Sequence, residues 1–208
     1  DHRDLHLSLR RQRQMCIRDR DIIRVQKVCL KVGDDNRLLI ALLSDTGMRL
    51  SEALGLVWGD IHLEHEYPHI SLKPHPWRPL KTSGSKRLIP LVGAAYDAVK
   101  MMHRQRVSQF LFNSYTDEKR CNGNSASAAL NKWLKQYVPD AVVHSFRHSF
   151  RDRLRNAGVQ SEMIDQLGGW SRQSVGQRYG NGFDFDTVHR VWLPNAGYLK
   201  FSEMHSNL

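Results

Sequence analysis

His144-Ser145-Phe146-Arg147-His148-Ser149-Phe150 is the stretch on which the reading of this chain turns. It opens a run of residues with helical periodicity that predicts a helix over Ser145 to Ala157. On that helix His144 and Arg147 are three residues apart and share a face. Beside the unpaired N–H groups of a first turn, two such side chains suit a phosphate. A solvated basic face is the plainer reading, because Arg151, Arg153 and Arg155 continue the charge. Metal binding by His144 and His148 is weaker still, since the pair lacks the glutamate of a zincin-type motif and a third ligand at useful spacing.

Upstream, Thr46-Gly47-Met48-Arg49-Leu50-Ser51-Glu52 is a glycine turn feeding a short helix. Arg49 sits where it can reach an anion and Glu52 where it can orient that guanidinium. Taken alone, the segment also fits a capped helix with a solvent-facing ion pair. Before it, Asp34-Asp35-Asn36 caps a helix carrying Leu38, Leu39, Ala41, Leu42 and Leu43. After it, Leu50, Ala53, Leu54 and Val57 keep helical spacing until Trp58-Gly59-Asp60. Short strands are expected at Ile61–Leu63, His69–Lys73 and Lys86–Pro90, and further helices at Ala94–Arg106, Ser125–Tyr137 and Ser161–Leu167. Pro194 argues against a long helix in the tail. The sum is an α+β, mainly α-helical domain with a small three-stranded antiparallel sheet.

Downstream lie Leu167-Gly168-Gly169-Trp170-Ser171 and Arg178-Tyr179-Gly180-Asn181-Gly182. Trp170 and Tyr179 are about two and a half helical turns apart, so on one straight helix they would face opposite ways. A break around Ser171 to Ser174 would let them converge. Core aromatics flanked by glycines would look the same.

Composition narrows the class. Forty per cent of the 208 residues are apolar, enough for a core, and the formal charge of +10 points to a polyanionic partner without separating DNA from RNA or membrane. Cys16, Cys29 and Cys121 form no disulfide framework or zinc set, and no apolar run approaches a membrane span. Residues 1–20 hold six arginines and resemble translated adaptor sequence, so they are expected to be a non-native or disordered basic segment. Residues 21–33 are expected to be a linker or the start of the domain, 34–190 the domain itself and 191–208 a C-terminal tail.

Together the motifs are far more specific than any one of them. Arg49, then His144-x-x-Arg147, then Trp170, then Tyr179 resembles the catalytic domain of the tyrosine recombinase (phage integrase) family over about residues 34–183. TGMRLSEALGL resembles the segment with the family's first catalytic arginine, and LKTSGSKRLIPL its β-hairpin lysine segment, which gives Lys81 that role. HSFRHSF resembles the His-x-x-Arg box, and the Gly-Trp…Tyr-Gly stretch the nucleophile box. Where many members have a second histidine this chain has Trp170, which can donate an indole N–H but cannot shuttle protons. The family's separate N-terminal DNA-clamping domain is expected to be absent.

The resemblance implies DNA cleavage and rejoining through a 3′-phosphotyrosine at Tyr179, with no metal and no small-molecule cofactor. Arg49, Arg147, His144 and Trp170 would hold the phosphate, Lys81 would protonate the leaving oxygen, and Glu52 would orient. Expected partners are double-stranded DNA and, in a tetrameric synapse, other recombinase protomers. The setting would be the cytoplasm or nucleoid of a cell carrying a phage or mobile element. A non-catalytic DNA-binding remnant is the alternative. A type IB topoisomerase and a metal-dependent nuclease are more remote.

Overall fold

The computed structural model describes residues 16–170 and 182–196, except for the side chains of Ser83 and of residues 192–196. The tail beyond 196 and the segment 171–181, which contains Tyr179, lie outside the described residues.

Helix α1 (Asp19–Val32) buries Ile22, Val25, Gln26, Cys29 and Leu30 along one stripe and ends at Gly33 in the left-handed conformation. It starts inside the stretch expected to be non-native, and Ile17 just before it is itself buried, its N–H donating to Ser149 Oγ at 2.7 Å. Up to Val32 the stretch is packed helix, which fits the start of the domain and not a linker.

Helix α2 (Asp35–Thr46) is capped by Asp34, whose carboxylate accepts the Arg37 N–H at 3.0 Å. All its residues from Leu38 to Thr46 are buried, because α1, α4 (Gly93–Arg104), α5 (Gly123–Leu134) and α6 (Ser145–Asn156) pack around it. A helix enclosed on all sides must satisfy its own polar groups. Gln26 Nε2 donates to Ser44 Oγ at 2.8 Å, and Thr46 Oγ1 donates to the Leu42 carbonyl at 2.7 Å. Asp45 accepts the Ala94 N–H at 2.9 Å and pairs with Arg153 at 3.0 Å.

That pair ties α2, α4 and α6 together at one buried point. Arg153→Met would leave a carboxylate without its cation in the core, at a cost of about 3–5 kcal/mol. Total stabilities run only to roughly 5–15 kcal/mol, so urea titration should show a large share of the folding free energy gone. Asp45→Asn combined with Arg153→Met should recover a large part, since no unpaired charge remains.

After α2 the chain turns at Gly47 and enters α3 (Leu50–Leu54). The helix had been expected to run to Val57 but stops at Gly55, and Trp58–Asp60 forms a separate 3₁₀ turn. Arg78 packs against the chain at that point. A Cβ at Gly55 would come within 2.6 Å of the buried Arg78 side chain, which pairs with Asp60 at 3.4 Å.

The antiparallel sheet has the order β1 (Ile61–His62), β2 (His69–Leu72), β3 (Arg87–Pro90), with Ile70 opposite both Ile61 and Ile89. Residues 73–86 between β2 and β3 form the excursion that carries Lys81. A second, smaller core gathers Phe150 and Leu154 of α6, Met163, Ile164 and Leu167 of α7 (Ser161–Gly168), and Val188 of α8 (Phe185–Ala196). Helix α8 runs across the expected tail boundary and contains Pro194. Only its last turn is affected, where the proline's missing N–H costs the bond to residue 190.

Candidate active site

Gly47 is the hinge on which the site is built. It holds φ +60°, and a Cβ there would lie 2.6 Å from the Phe150 ring, so both conformation and space require glycine. Its carbonyl accepts from Arg147 Nη1 at 2.6 Å, which locks α6 to the loop leading into Arg49. Arg147 is 4% exposed, and its Nη2 is buried with no hydrogen-bond partner. Burial and the neighbouring Arg49 and Arg87 pull its pKa down to about 9, which still leaves it cationic at neutral pH.

Arg49 precedes the first turn of α3 in extended conformation. Its backbone N–H donates to Glu52 Oε2 at 3.0 Å and its Nη1 to Glu52 Oε1 at 2.6 Å. Nη1 also reaches Ser85 Oγ at 3.3 Å, and Nη2 the Gly169 carbonyl at 3.5 Å. Glu52 is buried; that alone would raise its pKa, but Arg87 and Arg49 outweigh it and hold the carboxylate below its usual range.

Trp170 is half-buried, with Arg147 4.2 Å and Arg151 4.8 Å from its ring centre. Gly168 makes room for it, since a Cβ there would overlap the indole at 1.7 Å. Stacking on two guanidiniums is a contact that the sequence did not reveal. Arg151 also pairs with Asp165 at 3.0 Å. Four guanidiniums, those of Arg49, Arg87, Arg147 and Arg151, thus share two carboxylates, Glu52 and Asp165. The site is short of negative charge.

His144 directly precedes α6 without a side-chain capping bond and is exposed, its ring 5.1 Å from that of His148. Partial desolvation, then His148, Arg147 and Arg49, lower its pKa, so the imidazole is neutral at neutral pH and able to accept a proton. Lys81 is exposed on the β2–β3 excursion, whose foot is held to Arg49 through Ser85. Arg49, Glu52, Arg147 and Trp170 are thus brought into one network, with His144 at its edge and Lys81 on a neighbouring arm.

Three contributors escaped the sequence reading. Arg87 and Ser85 looked like ordinary strand and turn residues. Gln166 of α7 makes a two-point amide contact with Phe183, Nε2 donating to its carbonyl at 2.8 Å and Oε1 accepting its N–H at 2.9 Å. With Trp170 it brackets the segment that holds Tyr179. Asp184 and Asp186, a conceivable metal pair, are otherwise engaged: Asp184 caps α8 by accepting the Thr187 N–H at 2.8 Å, and Asp186 pairs with Arg190.

A helical domain with a three-stranded sheet beside a clustered arginine pair is the fold of tyrosine recombinase catalytic domains. The Tn1549 transposon integrase bound to circular intermediate DNA superposes with TM-score 0.59 at 21% identity, over 85% of this chain and 64% of that one. The XerH site-specific recombinase bound to its difH substrate gives 0.56 at 18% identity, over 85% and 53%. In sequence, the tyrosine recombinase XerC of Neisseria gonorrhoeae is 28% identical over 160 residues, covering 74% of this chain and 49% of that protein. A resolvase of Escherichia coli is 26% identical over 182 residues, covering 74% and 68%. Residues 21–184 match the phage integrase family, and the chain belongs to it. It spans about half the length of the XerC relative. Among the described residues no helix is long and apolar enough to cross a membrane.

Proposed function

We propose that the chain is the catalytic part of a site-specific recombinase of a phage or mobile element, cleaving and rejoining double-stranded DNA through a 3′-phosphotyrosine at Tyr179. The observation that carries this reading is the buried, unpartnered Nη2 of Arg147 in a site with more guanidinium than carboxylate. A phosphodiester supplies the missing negative charge. Arg147 offers its unpartnered Nη2 to a non-bridging oxygen while Trp170 backs its guanidinium, and Arg49 lies beside it as a second cation.

In the reaction the Tyr179 oxygen bonds to phosphorus while the bond to the 5′ oxygen breaks. The phenol proton passes to a base, for which the neutral His144 is suited, and the leaving oxygen takes a proton from Lys81. Religation reverses each transfer. The two guanidiniums stabilise charge on the pentavalent phosphorus, the task a divalent cation performs in nucleases, so no metal is needed. Action in a tetrameric synapse on cytoplasmic or nucleoid DNA belongs to the same proposal.

The test uses a library of duplexes nicked near the exchange point and randomised around it, so that the cleaved end diffuses away and the adduct accumulates. With a chelator present, the chain should form a protein–DNA adduct that survives SDS, and proteolysis should place the nucleotide on Tyr179. Binding without adduct would instead favour a DNA-binding remnant. Relaxation of supercoiled plasmid without recombinant product would favour a topoisomerase, and adduct-free cutting that requires magnesium would favour a nuclease.

A further inference from the structure

We propose that Arg87 is a positioning residue for strand cleavage, fixing Arg49 and the chain that enters the Tyr179 segment in one geometry; this rests on the recombinase reading above. Arg87 opens β3 and is almost fully buried. Its three donor nitrogens go to three different parts of the chain. Nη2 donates to Glu52 Oε2 at 3.1 Å, Nη1 to the Ser85 carbonyl at 2.8 Å, and Nε to the Leu167 carbonyl at 2.8 Å.

Each partner leads directly to a group that meets the phosphate. The other oxygen of Glu52 holds Arg49 Nη1 at 2.6 Å. Ser85 ends the turn at the foot of the Lys81 excursion, and its hydroxyl also receives Arg49. Leu167 lies in the last turn of α7, three residues before Trp170, whose ring stacks on Arg147. The end of α7 is shaped around this side chain: Gly169 holds φ +62°, and a Cβ there would lie 2.7 Å from Arg87 Nη1. A planar guanidinium can serve all three acceptors at once. A lysine keeps the charge opposite Glu52 but cannot span the two carbonyls as well.

A buried ion pair can also be no more than part of the fold, and the experiment separates the two roles. Wild type, Arg87→Lys and the charge-neutral Glu52→Gln/Arg87→Met pair are compared on the nicked duplex recovered from the library, with either the natural scissile phosphate or a methylphosphonate. Unfolding midpoint, DNA affinity and the single-turnover rate of adduct formation at saturating DNA are read for each. Arg87→Lys should bind DNA as wild type does and remain folded, its midpoint lowered by the buried carbonyls it leaves unpaired, yet form adduct about 100-fold more slowly, the scale of a small misplacement of reacting groups. On the methylphosphonate, which lacks the charge that Arg49 neutralises, the loss relative to wild type should shrink to about 10-fold or less.

Wild-type rates in Arg87→Lys overturn the proposal. So does an equal loss on both substrates accompanied by weaker binding, the signature of a purely structural role. If Arg87→Lys does not fold, the double variant is compared with Glu52→Gln alone: slower than that single variant with a substrate-dependent loss supports the proposal, equal to it overturns it. Failure of wild type to form adduct on either duplex sinks the recombinase reading itself, a result distinct from wild-type cleavage that is indifferent to Arg87.

Discussion

Arg147→Lys is expected to slow covalent adduct formation by about two to three orders of magnitude, the cost of losing one preorganised donor to developing charge, while DNA affinity changes little. Arg147 spends Nη1 on the Gly47 carbonyl and leaves Nη2 without a partner, with its flat face against Trp170. A lysine has one ammonium for both tasks and no plane to stack, so it either leaves the Gly47 carbonyl unpaired or misses the phosphate. Affinity is spread over many basic side chains, which is why binding and cleavage should separate.

The same substitution carries a pH signature. Burial and the cations of Arg49 and Arg87 already depress the pKa of arginine there. Lysine starts lower, at about 10.4, and the same surroundings push it further toward neutrality. Its charged form is the useful one, so the residual rate of the variant should fall as pH rises, relative to wild type at each pH. Parallel losses of binding and cleavage would mean that Arg147 only grips DNA.

How much of this was written in the sequence depends on the range of each interaction. The Asp34 cap, the start of α6 at Ser145 and the three strands come from local patterns, and the structure places them within a few residues of expectation. Helix α1 was equally legible, with Ile22, Val25, Cys29 and Leu30 at helical spacing. The arginine-rich run before it hid that pattern. What Gly55 makes room for could not be read locally, because the side chain packed against it is Arg78, far along the chain.

The site divides in the same way. Arg49 and Glu52 lie within one helical turn, and the motif order resembles a known family, so their pairing could be anticipated. Arg87 could not. Its alternation marks only an inward strand residue, while its partners are 35 residues upstream and 80 downstream. Nor does spacing reveal that Trp170 lands on Arg147. That contact depends on Gly168 and Gly169, which read in the sequence as a helix stop and in the structure also clear space for the indole and for Arg87.

Tyr179→Phe should abolish the adduct, a loss on the order of a million-fold, the scale seen when a catalytic nucleophile is deleted. The change removes one oxygen and leaves every charge in place, so DNA affinity should be untouched. The effect exceeds that of Arg147→Lys because the tyrosines among the described residues are engaged elsewhere. Tyr115 donates to Asn36 Oδ1 at 2.7 Å, while Tyr96 and Tyr137 lie under Lys100 and Arg24. Tyr67 lies tilted against the His189 ring, and its hydroxyl is pushed up to about 12, first by its hydrogen bond to Asp186, which makes it a poor source of phenolate. Tyr198 is the remaining rival in the sequence. Tyr198→Phe should therefore cleave at the wild-type rate. An adduct that survives Tyr179→Phe and vanishes in Tyr198→Phe would move the nucleophile into the tail, and the spacing that joins Trp170 to Tyr179 would lose its catalytic meaning.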